Sequence, residues 1–452
     1  MAQSTDPTDA STERSTPLSP FVPDTTDIGL YQRLFGFLTP YEYAGWRAEQ
    51  RAYKETCYLN GTLNPTTTVR IWGPEAEQFL SDFFVNNFEY LGPGRATHGI
   101  MCNEDGEIMR DGVVLRTEGD EFYTYWVSPY VDYLLQTHEY DAEFEVLTGS
   151  VFLFQVGGPT SLQTLEAATG ENLHDLGHFH HRETEIDGRP VRVLRLGMAG
   201  TLSYEVHGRI EDARPVFAAI HEAGEPFGVE RLGSRTYFIH HTETGYPQAS
   251  IHFWYPWESD PEFVEYAKEA GMWLEYAGRG SVEDPHAVAT RNPVELGWGS
   301  LIDFDHEFPG KAALQELVEN PDRTTVTLVW HPEDVAAVYA AQFGDEEPYE
   351  PIEGPYQTYF EDGAFVFKQD AVTDGDGEVV GISSGRFYSE YYQEMLSLCQ
   401  IDREVSDLGT EVTVIHGEPD TRQKAIRATV ARFPYLDLDR NYEYDVSQIP
   451  TP

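Results

Sequence analysis

Two segments of this chain share one plan, and that plan restricts the fold more than any other feature. Thr68–Leu80 and Val151–Leu165 each run from an apolar strand through a Gly-Pro corner, Gly73-Pro74 and Gly158-Pro159, into an amphipathic helix. Neither unit can bury its apolar face alone. Strand–helix units whose partners lie far away in sequence imply an α+β fold with shared sheets.

After about Leu317 the pattern changes. Thr324–Trp330, Ala364–Phe367, Val379–Ser383, Leu396–Ile401, Glu411–Ile415 and Ala425–Ala431 are short runs rich in β-branched and aromatic residues. Gly and Asp turns such as Asp374-Gly375-Asp376-Gly377 separate them, so an all-β domain is predicted over 318–440, with an acidic loop from Gly344 to Pro355. Residues 28–317 form the mixed module. Residues 1–27 are rich in Ser, Thr, Pro and Asp and are predicted to be disordered or loosely attached.

Charge excludes several function classes. With 77 acidic and 30 basic residues the formal net charge is −47, and the acids are spread along the whole chain. Such a surface repels itself unless concentrated cations screen it, which points to a salt-accumulating cytoplasm. Nucleic acid is disfavoured as a partner, because phosphate contacts need Lys and Arg on one face. No apolar run is long enough to cross a membrane, and no basic segment followed by an apolar core opens the chain. Cys57, Cys102 and Cys399 are too scattered for a disulfide framework or a metal site. His178, His180 and His181 have no carboxylate or Cys at a spacing that completes a metal site, so no metal is expected.

The run Arg195–Gly208 carries the clearest chemical signal. Gly197, Ala199 and Gly200 form a small-residue turn that a flat ligand can approach. A strand follows, with Glu205 between Tyr204 and Val206. A buried carboxylate needs a partner, and its two oxygens suit a heterocycle edge with two adjacent N–H donors, such as the amino-pyrimidinone of a pterin.

Three further blocks sharpen this. Asn292–Gly299 reads N-P-V-E-L-G-W-G, Asp303–Leu314 reads D-F-D-H-E-F-P-G-K-A-A-L, and Asn103–Gly112 reads N-E-D-G-E-I-M-R-D-G. They resemble the "P-x-E-x-G … D-F-x-G-K-x-A-L" and "N-x-x-G-x-I-x-D-D" patterns of the glycine-cleavage aminomethyltransferase (T-protein) family, with Arg110 in place of the first Asp. The wording of Gly197–Gly200 and of Asp303–His306 is nearest to the tetrahydrofolate-dependent O-demethylases that act on vanillate, methylgallate and syringate. This resemblance runs from about Ile28 to about Pro434. It implies a folate-binding module over 28–317 built on the two repeats, and a C-terminal β-barrel over 318–440, where Ser383–Ser389 resembles the family's "T-S-G-x-x-S" turn.

By the same resemblance, tetrahydrofolate is the cofactor and Glu205 meets the pterin edge. Tyr246 stands where the demethylases carry a stacking Trp, and Gly197 and Glu243 are placed with the cofactor-binding residues, Glu243 lying at the family spacing from Tyr237. Tyr237 falls on the tyrosine beside the leaving oxygen, and a protonated phenol can serve there as a general acid. Asp111 matches the second Asp of the T-protein pair, with a structural Asp–Arg pairing to Arg110 as its competitor. In the donor pocket Tyr31 has a counterpart, whereas Arg33 stands at a tyrosine position, Ser128 at that of a carboxylate-binding arginine and Pro65 at that of a histidine.

The expected activity is transfer of a methyl group from a small donor to tetrahydrofolate. An aromatic methyl ether is the first choice, with a sulfonium of the dimethylsulfoniopropionate type or a methylamine left open. A non-catalytic folate-binding protein on the same fold is the alternative from another class, disfavoured because the relatives' "K-G-C-Y-x-G-Q" cysteine is missing here. A true T-protein is disfavoured by Arg110, by Thr201 at the position of a second Glu, and by an insertion between Pro247 and Asn292 rich in Trp, Tyr and Phe. That insertion is expected either to wall the donor pocket or to form a subunit contact, and the oligomeric state stays open.

Overall fold

A computed structural model describes residues 16–23, 28–352 and 365–451. Two sheets pack face to face in the first module. One has six strands in the order His181–Ile186, Arg189–Leu194, Ser203–Arg209, Val151–Gly157, Cys57–Asn60, Val229–Arg231. The other has five, in the order Arg95–Cys102, Ile108–Arg116, Phe122–Tyr125, Thr68–Trp72, Glu143–Val146.

Alternation along the strands decides what lies between them. In Ser203–Arg209, Tyr204 and Val206 pack with Phe154, Leu162, Val216 and Phe217 on the helix-covered side of the six-stranded sheet. Glu205 and His207 therefore turn the other way. There Tyr58, Leu153 and Leu194 of one sheet meet Leu115 and Tyr125 of the other in a common core.

Both sequence repeats form the predicted strand, corner and helix, with helices at Ala76–Phe83 and Ser161–Thr169. Gly73 and Gly158 hold φ of +116° and +123°, and a Cβ at Gly158 would stand 2.4 Å from the Thr56 carbonyl oxygen. The corner thus excludes every side chain.

The C-terminal strands close into a barrel in the order Phe365–Thr373, Val379–Ser389, Glu394–Asp402, Arg323–Trp330, Lys424–Ala431, Glu411–His416, with Val372 and Val414 joining first to last. Its elements follow the six predicted runs. A helix at Pro332–Ala340 was not predicted, and part of the predicted acidic loop, from residue 353 on, lies outside the described residues.

Three expectations need correction. Part of the segment thought loose is fixed: Ser19 N and the Pro17 carbonyl bond to Leu38, and Phe21 and Val22 bury against Phe37, Phe154 and Phe217, because two large apolar side chains outweigh the polar composition around them. The barrel does not run to residue 440. Its last strand ends at Ala431, after which Leu436 N bonds to the Glu243 carbonyl, Arg440 Nη1 to that of Thr244 and Asn441 Nδ2 to that of Ser203. The aromatic insertion is not an exposed contact surface, since Phe253, Trp254, Tyr255, Trp257 and Phe263 are buried in this chain and Tyr276–Arg279 pairs in parallel with Phe365–Lys368.

Gly158→Ala is expected to destabilise the chain by roughly 2–4 kcal/mol, combining a strained φ with an overpacked contact. Chemical denaturation of the two proteins reads this directly, and an unchanged midpoint would remove the steric role of the corner.

Candidate active site

The helix Ser234–Glu243 and the turn after it bring the first group of side chains together. Tyr246 N donates to the His241 carbonyl at 2.9 Å, and His241 Nδ1 donates to the Tyr246 carbonyl at 3.0 Å, so each residue fixes the other. The His241 ring stands edge-on to Tyr237 with centroids 4.9 Å apart. All three side chains are buried or nearly so.

The five-stranded sheet supplies the second group. His98 pairs with Val113 and Ile100 with Asp111 across the hairpin, which makes His98 and Asp111 diagonal neighbours. His98 Nε2 lies 3.0 Å from Asp111 Oδ2 and 3.3 Å from the Tyr246 hydroxyl. The other Asp111 oxygen accepts from Tyr255 Oη at 3.0 Å. Trp298 packs edge-on to His98 at 4.7 Å, and the Arg110 guanidinium lies 4.8 Å over the Tyr255 ring. Arg110 therefore does not pair with Asp111; it stacks and donates to the Ser128 carbonyl.

Glu205 forms the third group. It is buried between the sheets, with Oε2 3.1 Å from His207 Nε2 and Oε1 at a long 3.4 Å from Gln155 Nε2. Burial lowers the pKa of His207, which keeps that ring neutral at pH 7. Burial first, then the fields of Asp111, Tyr237, Tyr255 and Glu205, raises the Tyr246 phenol well above its usual range. The first two groups meet at the Tyr246 hydroxyl, Glu205 acts on that ring through its field, and burial keeps the Tyr246 and Tyr255 phenols protonated. Gln155 Oε1, the Tyr58 hydroxyl, Thr201 Oγ1 and His241 Nε2 are buried without a hydrogen-bond partner among the described residues. Such atoms suit a polar ligand.

Tyr237 and Tyr246 thus flank His241, Asp111 joins them through His98, and Glu205 lies within reach of Tyr246 by its field alone. The remaining expected residues do not join them. Tyr31 and Arg33 lie on the exposed side of the hairpin strand Leu30–Leu34, whose other side buries Leu34. Ser128 is buried, with its hydroxyl donating to Asp132 at 2.6 Å and its carbonyl accepting from Arg110. The space beside Gly197 is filled by Ser203, whose Oγ would stand 2.4 Å from a Cβ there, so this glycine closes its own turn instead of opening it to a ligand.

Glu243 is the clearest correction. It is fully buried in an ion pair with Lys54 at 2.5 Å and accepts from Ser389 Oγ at 2.5 Å, while Lys54 also lies 4.1 Å over the Tyr53 ring. Both its oxygens are taken by protein groups, so it binds structure, not cofactor. His98, Tyr255 and His241 were missed by the sequence reading. Counting the hairpin register would have found His98, but Tyr255 comes from the insertion, where nothing local ties it to Asp111.

Among the described residues no group of three His, Cys, Asp or Glu side chains gathers to hold a metal ion, and His181 Nε2 instead meets the Arg116 carbonyl at 2.9 Å. Among the described residues no helix is long and apolar enough to cross a membrane.

Residues 29–252 match the family model described as the GCVT N-terminal domain. The chain is 42% identical over 431 residues, 92% of this chain and 94% of the relative, to the sesamin methylene transferase of Sinomonas sp. (strain No.22). It is 28% identical over 432 residues, 89% of this chain and 90% of the relative, to the syringate O-demethylase of Sphingobium sp. (strain NBRC 103272 / SYK-6). The crystal structure of glycine cleavage system aminomethyltransferase T from Bartonella henselae superposes with a TM-score of 0.67 at 17% identity, covering 92% of this chain and 96% of that one, which shows the shared fold. The chain belongs to the GCVT aminomethyltransferase family.

Glu243→Ala should cost about 3–5 kcal/mol by leaving Lys54 buried without its partner, whereas Lys54→Met combined with Glu243→Leu should recover much of that loss. Denaturant titration of the three proteins measures both. A single variant as stable as wild type would show that the pair is not a structural joint.

Proposed function

We propose that this chain is a tetrahydrofolate-dependent demethylase whose first-choice donor is an aromatic methyl ether. The observation that carries this reading is the Asp111–His98–Tyr246 set, braced by Tyr255, in the same dry interior as Glu205. Moving a methyl group from an ether oxygen to a folate nitrogen is an in-line displacement. It needs donor and acceptor held together and a proton for the departing oxygen.

The residues fit the cofactor. The Glu205 carboxylate is held by His207 at Oε2 and only weakly by Gln155 at Oε1, each oxygen keeping a second lone pair for an N–H of a pterin edge, and the orphaned Gln155 Oε1 and Tyr58 hydroxyl lie in its vicinity. Tetrahydrofolate supplies the nucleophilic nitrogen. On the donor side, both Asp111 oxygens accept hydrogen bonds, so its role is to orient His98 and Tyr255. With His98 Nε2 carrying the proton that Asp111 accepts, the Tyr246 oxygen is left with its own proton to give. Tyr237, 6% exposed and beside His241, is the phenol assigned to the departing oxygen.

A second reading has a specific observation behind it. The relative at 42% identity is named for methylene transfer, and two phenols tied to one carboxylate–imidazole pair suit a donor that releases two oxygens. Incubating the protein with tetrahydrofolate and either a methoxyphenol or a methylenedioxyphenyl compound separates the readings. Methyl-tetrahydrofolate from the first or methylene-tetrahydrofolate from the second identifies the donor, and neither product would overturn the assignment.

Three outcomes are expected. Glu205→Ala should weaken tetrahydrofolate by about ten- to a hundredfold in calorimetry, the value of a charge-assisted pair of about 1.5–3 kcal/mol. Tyr237→Phe should leave that affinity nearly unchanged and slow single-turnover demethylation by about 10²–10⁴-fold. A Tyr237→Phe enzyme as fast as wild type would move the acid to Tyr246. The net charge of −47 also supports a salt-accumulating cytoplasm as the working environment. Dialysis from molar KCl into dilute buffer should then unfold or aggregate the chain by circular dichroism, and full retention of structure would overturn the salt-adapted reading.

A further inference from the structure

One buried imidazole is left without a task by the assignments above. His241 is 2% exposed, with Tyr237 on one side and Tyr246 on the other, at centroid separations of 4.9 and 5.8 Å. Its tautomer is fixed by chemistry. Nδ1 faces the Tyr246 carbonyl, which can only accept, so Nδ1 carries the hydrogen and Nε2 presents a lone pair. That Nε2 is buried and meets no donor among the described residues. Burial pushes the ring down to about 3, so it stays neutral, and Asp111 is the nearby charge that favours its protonated form. A neutral lone pair in a dry interior wants a ligand N–H or O–H, because an unmet acceptor forfeits its hydration without return.

The proposed reaction supplies such a donor. A secondary amine that takes up carbon must lose its hydrogen, and the oxygen that gives up carbon must gain one. Phenol donors are at hand for the oxygen, but both Asp111 oxygens are already accepting, which leaves His241 as the acceptor beside those phenols. We infer that His241 Nε2 accepts the N–H of the folate amine that receives the one-carbon unit and so orients that nitrogen's lone pair. This rests on the folate reading above. As the N–C bond forms and the C–O bond breaks, the departing oxygen takes the phenol hydrogen, and the hydrogen lost by the amine restores the phenol, so the ring stays neutral and no oxidant or reductant is involved.

Binding tests this without turnover. Calorimetry compares tetrahydrofolate with 5-deazatetrahydrofolate, in which carbon replaces that nitrogen, on wild type, His241→Phe, His241→Leu and His241→Gln. Wild type is expected to prefer the amine by about tenfold, the worth of one such hydrogen bond. His241→Phe, or His241→Leu if the larger ring unfolds the chain, should reduce the preference to within about twofold, and His241→Gln, whose amide oxygen can accept, should keep part of it. A wild type without preference, or a Phe or Leu variant that keeps it, overturns the inference. Wild type that binds neither compound would instead overturn the folate reading itself.

Discussion

The helix Ser234–Glu243 holds the site because its last residue cannot move. Glu243 meets Lys54 from the helix Trp46–Glu55 and Ser389 from the barrel strand Val379–Ser389, with every side chain of the ion pair fully buried. An ion pair in a dry interior gains little net stability over an apolar core, but breaking it strands a charge, so only one arrangement of the three elements is tolerable. The chain after the barrel reinforces this joint, since Leu436 and Arg440 bond to the carbonyls of Glu243 and Thr244. Tyr237, His241 and Tyr246 inherit their positions from it. A change in how the barrel sits on the first module is therefore a change in the site, even though no barrel strand contributes a residue to it.

How much of this was legible in the sequence depends on the range of the interaction. Glu205 could be read, because strand alternation is local and a carboxylate between Tyr204 and Val206 must face the other layer. The two strand–Gly-Pro–helix corners and the barrel strands could be read for the same reason. Asp111 could be located by its hairpin but not understood, since the partner of its second oxygen comes from Tyr255 in a segment that no period or spacing connects to it. Glu243 was misplaced for a complementary reason: an acidic residue at the family spacing from Tyr237 is equally suited to a ligand and to a lysine far off in the chain, and only the packing of two helices distinguishes them. The loose-tail expectation is corrected only over residues 16–23, the described part of that segment, because composition averages over a segment whereas anchoring needs only Phe21 and Val22.

The insertion shows what the chain adds to the family fold. Its aromatic residues pack against the five-stranded sheet, with Tyr255 and Trp257 stacked at 5.4 Å and Trp257 Nε1 bonded to the Met109 carbonyl at 2.9 Å. That places a low-dielectric wall directly against Asp111, where water would otherwise solvate the carboxylate. In such surroundings each hydrogen bond of the Asp111–His98–Tyr246 set is electrostatically stronger, and an unpaired polar atom is costlier. Arg110 fits this wall: its guanidinium covers the Tyr255 and Trp257 rings and forms no ion pair with Asp111 among the described residues. Arg110 and the insertion therefore act together, backing the Asp111 carboxylate with stacked aromatic rings. Burial of this kind keeps the Tyr246 phenol protonated and the His241 and His207 rings neutral at the same pH, so a hydrogen-bond donor and lone-pair acceptors stand side by side in one enclosed space.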